Sequence, residues 1–476
     1  MRFSRNGSDM KSARRTPSTP GTSQNDKNKK IMKRNILYSG IVAIVITSFS
    51  SCALYKGYER PTDLKTEQLY GNSLAENSEE TMAQLSWREL YTDPLLQALI
   101  EKALENNTGL KAQQWAVEQA KASHTASKLA YLPSLYFSPS GGYSTPDKTW
   151  SYQLPFALNW EIDIFGGIHN QRKMAKAALA SQQDLEQAVH SRLIATVASC
   201  YYQLMALDQT MNIIIDANRV WNELIKSSEE LMANGEINGM AVTQFKGQSY
   251  DFQANQRTVE HSIKQVELEL CSILGEAPHA IERGNLLAAT TPAILQTGLS
   301  SQLLANRPDV RQAERNLEYF YHNNCYARSN FFPKFVIDAS AVFSGSWITS
   351  FIGGLTQPIF ARGKIIAEKR AAKAQYEQAK LNYQQKLIDA SADVVKAMSQ
   401  WSTSHNNYQT RLLQVEEYQK AVDYSKTLMF NGECTYLDVL TAQTNLFSKS
   451  KSLVDDRLEE LIGIVNLYLA LGGGCE

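Results

Sequence analysis

WSYQLPFALNWEID, residues 150–163, carries an apolar side chain at every second position: Trp150, Tyr152, Leu154, Phe156, Leu158, Trp160 and Ile162. Ser151, Gln153, Pro155, Ala157, Asn159, Glu161 and Asp163 fall between them. A period of two describes a strand with one apolar and one largely polar face. From Trp150 to Trp160 such a strand runs about 33 Å, and tilted by about 40° it rises roughly 25 Å. That is the height of the lipid-facing band of an outer-membrane barrel, with a girdle tryptophan at each rim. A soluble core would need neighbouring sequence to cover this stripe, and the neighbouring sequence is helical.

Residues 168–234 and 364–431 contain neither glycine nor proline. Each run would span roughly 100 Å as one α-helix, far beyond an ordinary globular helix. Apolar residues within them step by three and four, the signature of left-handed supercoiling. One seam reads Val197, Cys200, Leu204, Leu207, Met211, Ile214, Asn218, Trp221; the other reads Val394, Met398, Trp401, His405, Tyr408, Leu412, Val415, Gln419, Val422. On this reading Cys200 is a small buried hydrophobe and His405 a seam residue rather than a ligand.

Both runs end alike, in LMANGE (231–236) and LMFNGE (428–433), where Asn-Gly is a helix stop and further helical sequence follows. YLPSL (131–135) pairs with FFPKF (331–335), and DIFGG (163–167) with PIFARG (358–363). The chain is therefore two copies of one large unit, at 86–276 and 308–474, joined by a proline-bearing connector at 277–307. Each copy inserts two strands between its helices, four in all. Four strands cannot close, and an open edge cannot sit in lipid, so several chains must share one barrel.

Residues 1–31 are a polar extension with no core-forming composition, and Met32 is a natural start. Lys33 and Arg34 precede an apolar run at 36–49 that ends in Phe49-Ser50-Ser51-Cys52. This is a signal peptide, at 32–51, with a lipobox-like end; Cys52 is expected to carry lipid, and 52–85 to be a linker. Lys+Arg and Asp+Glu are both 48, so no net positive charge favours nucleic acid. The six cysteines form no CxxC, the seven histidines no HExxH, and neither a Gly-rich phosphate loop nor GxSxG occurs. No metal, cofactor or enzymatic activity is expected. A structural coiled-coil protein of the envelope, such as an adaptor or fibre, is the other class considered; the paired strands and duplicated hairpins argue against it.

WRELYTDPLLQALIEKALENN, WEIDIFGG, LLANRPDVRQAERNL, GECTYLDVLTAQTNLF and VNLYLALGGG occur in order across residues 52–474. With them the chain resembles the TolC-type outer-membrane efflux channels, specifically the NodT-like lipoprotein branch that serves RND pumps. The resemblance implies a mainly α fold, with long coiled-coil hairpins forming a periplasmic tunnel and four strands per chain in a twelve-stranded barrel. It implies a homotrimer in outer-membrane lipid, docked to a periplasmic adaptor and an inner-membrane RND-type pump, passing drugs, toxic compounds or metal ions. By the same resemblance Asp438, with Glu433, edges a periplasmic gate. Thr441 stands where relatives have a second acid, and Cys434 where some carry a charged latch. Gly235 and Gly432, at the hairpin turns, are expected to receive the adaptor.

Overall fold

The computed structural model describes residues 55–61, 82, 85–145, 148–290, 307–358 and 361–475. Tyr58–Glu476 forms one compact unit and Met1–Gly57 another, of which only 55–57 are described. Cys52, the signal sequence and residues 291–306 of the connector lie outside the described residues.

Two short helices, α1 (Trp87–Leu90) and α2 (Pro94–Asn106), lead into α3 (Thr108–Leu129). Strands β1 (Ser134–Phe137), β2 (Ser140–Ser144) and β3 (Thr149–Ile162) follow, then α4 (Gly167–Ala233) and α5 (Gly239–Leu274). The second copy repeats this with α6 (Pro308–Ser329), β4 (Lys334–Phe343), β5 (Trp347–Thr356), α7 (Lys364–Phe430) and α8 (Tyr436–Ala470). Helices α4 and α7 are both 67 residues long, each entered from a left-handed glycine, Gly166 and Gly363. Among the described residues no helix is long and apolar enough to cross a membrane.

The strands form one antiparallel sheet in which β1 and β2 both pair with β3, followed by β4 and β5. The sequence reading expects four strands, and five are present among the described residues because the first stave is nicked. The register of β1 on β3 (Phe137 opposite Phe156) continues unbroken into that of β2 (Ser140 opposite Gln153). Between them Pro139 cannot donate, and Pro155, which falls opposite Ser138 in that register, cannot either. Only Ser138 N–H to Pro155 O, 3.3 Å, bridges the gap. Four staves remain.

Three apolar clusters hold the unit together. The largest surrounds Val197, Tyr201, Leu204, Leu270 and Leu467 at mid-height; a second joins α6 to α7 through Leu317 and Tyr383; a third lies near the helical tips. Helices α7 and α8 approach closely at Gly463, where an added Cβ would stand 3.0 Å from Trp401 Cα.

On α4 the expected seam is covered, with Val197, Cys200, Leu204, Ile214 and Trp221 buried. Burial pushes the Cys200 thiol up to about 11, as an inert core cysteine requires. On α7 the expected seam is half right. Val394 and Val422 are buried and Trp401, Tyr408 and Val415 half-buried, but the alternate positions are Ala397 and Ser404, buried, and Arg411, Tyr418 and Ser425, half-buried. Leu412 and Gln419 are exposed. Small and amphipathic residues fill the seam because α8 packs close, and hydrophobicity alone picks the wrong neighbour. His405 stands at the seam's edge, its Nδ1 2.7 Å from Glu460 Oε1, with Glu460 also bound by Arg457 at 2.6 Å.

Candidate functional site

The sheet has two unlike faces. The register aligns Leu158 of β3 with Ala339 of β4, and Ala339 with Phe351 of β5; Trp160 aligns with Ile337, and Ile162 with Phe335. The opposite face carries hydrogen bonds between polar side chains. Asn159 Nδ2 donates to Asp338 Oδ1 at 2.7 Å, Ser340 and Ser350 hydroxyls meet at 2.7 Å, and Lys334 pairs with Glu161 at 3.0 Å. Among the described residues nothing covers the apolar face: Trp150 is 79% exposed and Phe351 73%. Among the described residues, both lateral edges, β1/β2 and β5, lack a partner strand. An apolar face, a polar face and two free edges define a segment of a barrel that neighbouring copies complete.

The expected girdle residues sit at opposite ends of β3. Trp150 meets Tyr143 in a tilted contact at 5.2 Å, and the Trp160 indole donates to Tyr131 O at 2.9 Å at the junction with the helices. An apolar ring with one satisfied N–H suits a membrane–water boundary.

At the far end, the two Asn-Gly-Glu turns are superimposable in their hydrogen bonds. Glu236 N–H reaches Leu231 O at 2.9 Å and Gly235 N–H reaches Met232 O at 3.1 Å. Glu433 to Leu428 O and Gly432 to Met429 O repeat these distances. This is the Schellman closure, which needs a left-handed residue after the cap. Gly235 and Gly432 supply it with φ of 78° and 74°, and a Cβ at either would meet nothing within 4 Å. The turns are therefore bare backbone facing open space. Met240 and Leu437, at matching places in the next helices, are 57% and 54% exposed.

Asp438 stands in the first turn of α8, closer to the tip than a continuous helix through Gly432 would place it. Its Oδ2 accepts from Thr435 N (2.8 Å) and Thr435 Oγ1 (2.6 Å), closing a capping box. Those hydrogen bonds hold its carboxyl below the usual range. The sequence reading gives Asp438 a place at the gate and no capping role; the structure uses it as a cap, for which the Thr-x-x-Asp spacing is the signal. Thr441 Oγ1 turns back to Leu437 O at 2.8 Å. Cys434 donates to Ser425 O at 3.2 Å, its thiol pushed up by burial and then by Asp438.

Behind the turns an aromatic knot welds the two hairpins. Trp221 lies 5.6 Å from Phe245, Phe252 packs on Phe447 at 4.6 Å, and Phe245 meets Tyr436 at 6.1 Å. At mid-height, half-buried Arg283 and buried Arg307 tie the connector to the copies. Arg283 bridges Asp208 and Glu267, both at 2.5 Å. Arg307 joins Asp309, Asp393 and the Ala470 carbonyl. Sequence reading missed both, since lone arginines in a balanced composition carry no pattern. Among the described residues no three His, Cys, Asp or Glu side chains converge as a metal would require.

A barrel segment continuous with paired, roughly 100 Å helical hairpins defines a multi-chain channel that joins a membrane pore to a long tunnel. The model of the outer membrane efflux protein family matches residues 99–276 and 299–473, and the chain belongs to that family. It is 27% identical over 438 residues to the probable outer membrane lipoprotein SilC of Salmonella typhimurium, covering 88% of this chain and 94% of that one. It is 26% identical over 454 residues to the cation efflux system protein CusC of Escherichia coli K12, covering 90% and 98%. To the solvent efflux pump outer membrane protein SrpC of Pseudomonas putida it is 27% identical over 464 residues, covering 92% and 98%. The open-state MtrE outer membrane channel of Neisseria gonorrhoeae superimposes with a TM-score of 0.79, covering 89% of this chain and 99% of that one at 23% identity. The chain is thus the outer-membrane channel component of an efflux system, a passive trimeric conduit of the TolC type and not an enzyme.

Proposed function

We propose that this channel is the lipid-anchored exit duct of a tripartite RND-type system, in the NodT-like lipoprotein branch, with Cys52 acylated as its mature N-terminus. Its bare turns at Gly235 and Gly432 receive the hairpins of the periplasmic adaptor, and Asp438 and Glu433 edge the mouth beside them. Its relatives include a cation efflux protein and a solvent efflux channel, a range of cargo that suits a duct whose pump does the selecting.

The observation that carries the reading is the four-stave sheet with one uncovered apolar face and two free edges. Such a sheet does not persist alone in water or in lipid. Cross-linking in detergent should therefore give trimers, and planar bilayers should show long-lived conductance. A stable, monodisperse monomer without conductance would overturn it. Mass spectrometry of the purified chain tests the anchor separately: an unmodified N-terminus elsewhere than Cys52 removes that part and leaves the duct standing. Gly432→Trp should leave conductance intact and abolish efflux in cells, because only docking is disturbed.

A further inference from the structure

Six residues beyond its left-handed N-cap glycine, each long helix carries the same basic pattern. After Gly166 come Arg172, Lys173 and Lys176, within RKMAK; after Gly363 come Lys369, Arg370 and Lys373, within KRAAK. Neither window holds an acid, in a chain whose Lys+Arg and Asp+Glu are both 48. Residues three and four apart are neighbours on a helix, so Lys176 adjoins both Arg172 and Lys173, and Lys373 both Lys369 and Arg370, like charges beside like. Such crowding is unfavourable unless an anion shares it.

The leading cation of each triad lies over an aromatic ring at the foot of the sheet. The Arg172 guanidinium is 5.8 Å from the centroid of Tyr131, and Lys369 Nζ is 5.4 Å from that of Phe331. Tyr131 and Phe331 hold matching places, two residues before Pro133 and Pro333. The Tyr131 carbonyl accepts the indole N–H of Trp160, which stands on the apolar face. The cations therefore continue that face downward. Leu132, 62% exposed, and Ile366, 51% exposed, lie beside them.

Arg283, Arg307 and Arg311 each meet a carboxylate, whereas none of the six collar cations is paired with one among the described residues. Their height fits a headgroup layer. At 1.5 Å per residue, Arg172 and Lys369 lie about 8 Å below the start of their helices, and Lys176 and Lys373 about 14 Å. The polar zone on each side of a bilayer is roughly 5–8 Å thick, and a surface charge is felt for about another 8–10 Å.

We propose that the two triads form a basic collar that binds the phosphate headgroups of anionic phospholipids in the leaflet facing the periplasm, one headgroup at each triad. This rests on the barrel reading above and goes beyond it by assigning the channel a lipid preference.

The test uses the full-length trimer in detergent, offered phosphatidylglycerol and phosphatidylcholine at equal concentration and examined by native mass spectrometry. The wild type should retain phosphatidylglycerol with a preference on the order of tenfold. Substituting all six cations with glutamine should bring the preference near unity while trimer and conductance persist, which separates failure of the collar from failure of the channel. Exchanging Arg for Lys and Lys for Arg at the six positions should keep it. Should the neutral variant not assemble, salt decides on the wild type alone: the preference should vanish near 1 M. A preference unchanged by neutralisation or by salt overturns the collar. So does a neutral variant that keeps its lipid preference but no longer captures an acidic adaptor surface.

Discussion

Asp438 shows how one carboxylate can answer to two roles. As a cap, it needs an acceptor oxygen for Thr435; as a gate, it needs charge at the mouth. Asp438→Asn keeps the acceptor and removes the charge, whereas Asp438→Ala removes both. If the residue only caps, Asn should match wild type in cation block and selectivity, and Ala alone should speed amide exchange at Thr435. If it also forms a charged ring, Asn and Ala should weaken cation block alike. Single-channel recording beside hydrogen exchange distinguishes the outcomes. The cap has a pH signature as well. Hydrogen bonding from Thr435 lowers the carboxyl from its ordinary value of 3.8. Its contribution is therefore complete above that value and is lost as pH falls through the lowered one. The role was legible in Thr-x-x-Asp and was eclipsed by the family's gate; where the carboxylate sits relative to the helix start was not legible, because Schellman closure breaks the helix for several residues.

At the scale of the element, the long helices follow directly from the absence of glycine and proline, and their limits agree with the two Asn-Gly stops. The phase of the α7 seam does not follow. Position 404 is serine yet buried, and 411 is arginine yet half-buried against Asp456; beside 404, Gly463 of α8 lets Trp401 Cα stand only 3.0 Å from where a Cβ would lie. Hydrophobic spacing records what a residue prefers, whereas packing distance depends on a glycine sixty residues away in sequence. The aromatic knot at the tip makes a sharper demand on the elements. Trp221 is fully buried against Phe245 and Phe252 within the first hairpin, and those two rings meet Tyr436 and Phe447 of the second. Trp221→Ala should cost about 3–5 kcal/mol of local stability. Hydrogen exchange should then accelerate by at least a hundredfold in the first turns of α5 and α8, with amides around Tyr201 unchanged. Equal protection in both forms would mean that the turns are held from the mid-height core instead.

For the whole molecule, one alternating stretch in β3 was enough to read the membrane face, but the second copy needed the register. KFVIDASAVF alternates less cleanly, since Val336 and Val342 share the face of Asp338 and Ser340. Only pairing with β3 shows which side lipid meets. Two neighbours at the middle of β5 put that assignment to its strictest test. Phe351 is 73% exposed and Ile352 63%, so in an isolated chain they are equivalent apolar surface residues. In the barrel they part: Phe351 aligns with Ala339 on the apolar face, and Ile352 with Asp338 on the polar one. An arginine facing lipid at mid-depth costs about 2–4 kcal/mol, and in a trimer the cost recurs in every copy. Phe351→Arg should therefore deplete the assembled channel from the outer membrane. Ile352→Arg should assemble normally and shift conductance toward anions, since it adds positive charge to the lumen beside Asp338. Quantifying trimer in outer-membrane fractions, with single-channel selectivity for whatever assembles, reads both. Equal tolerance of the two arginines would show that neither face meets lipid, and the shared barrel would fall with it.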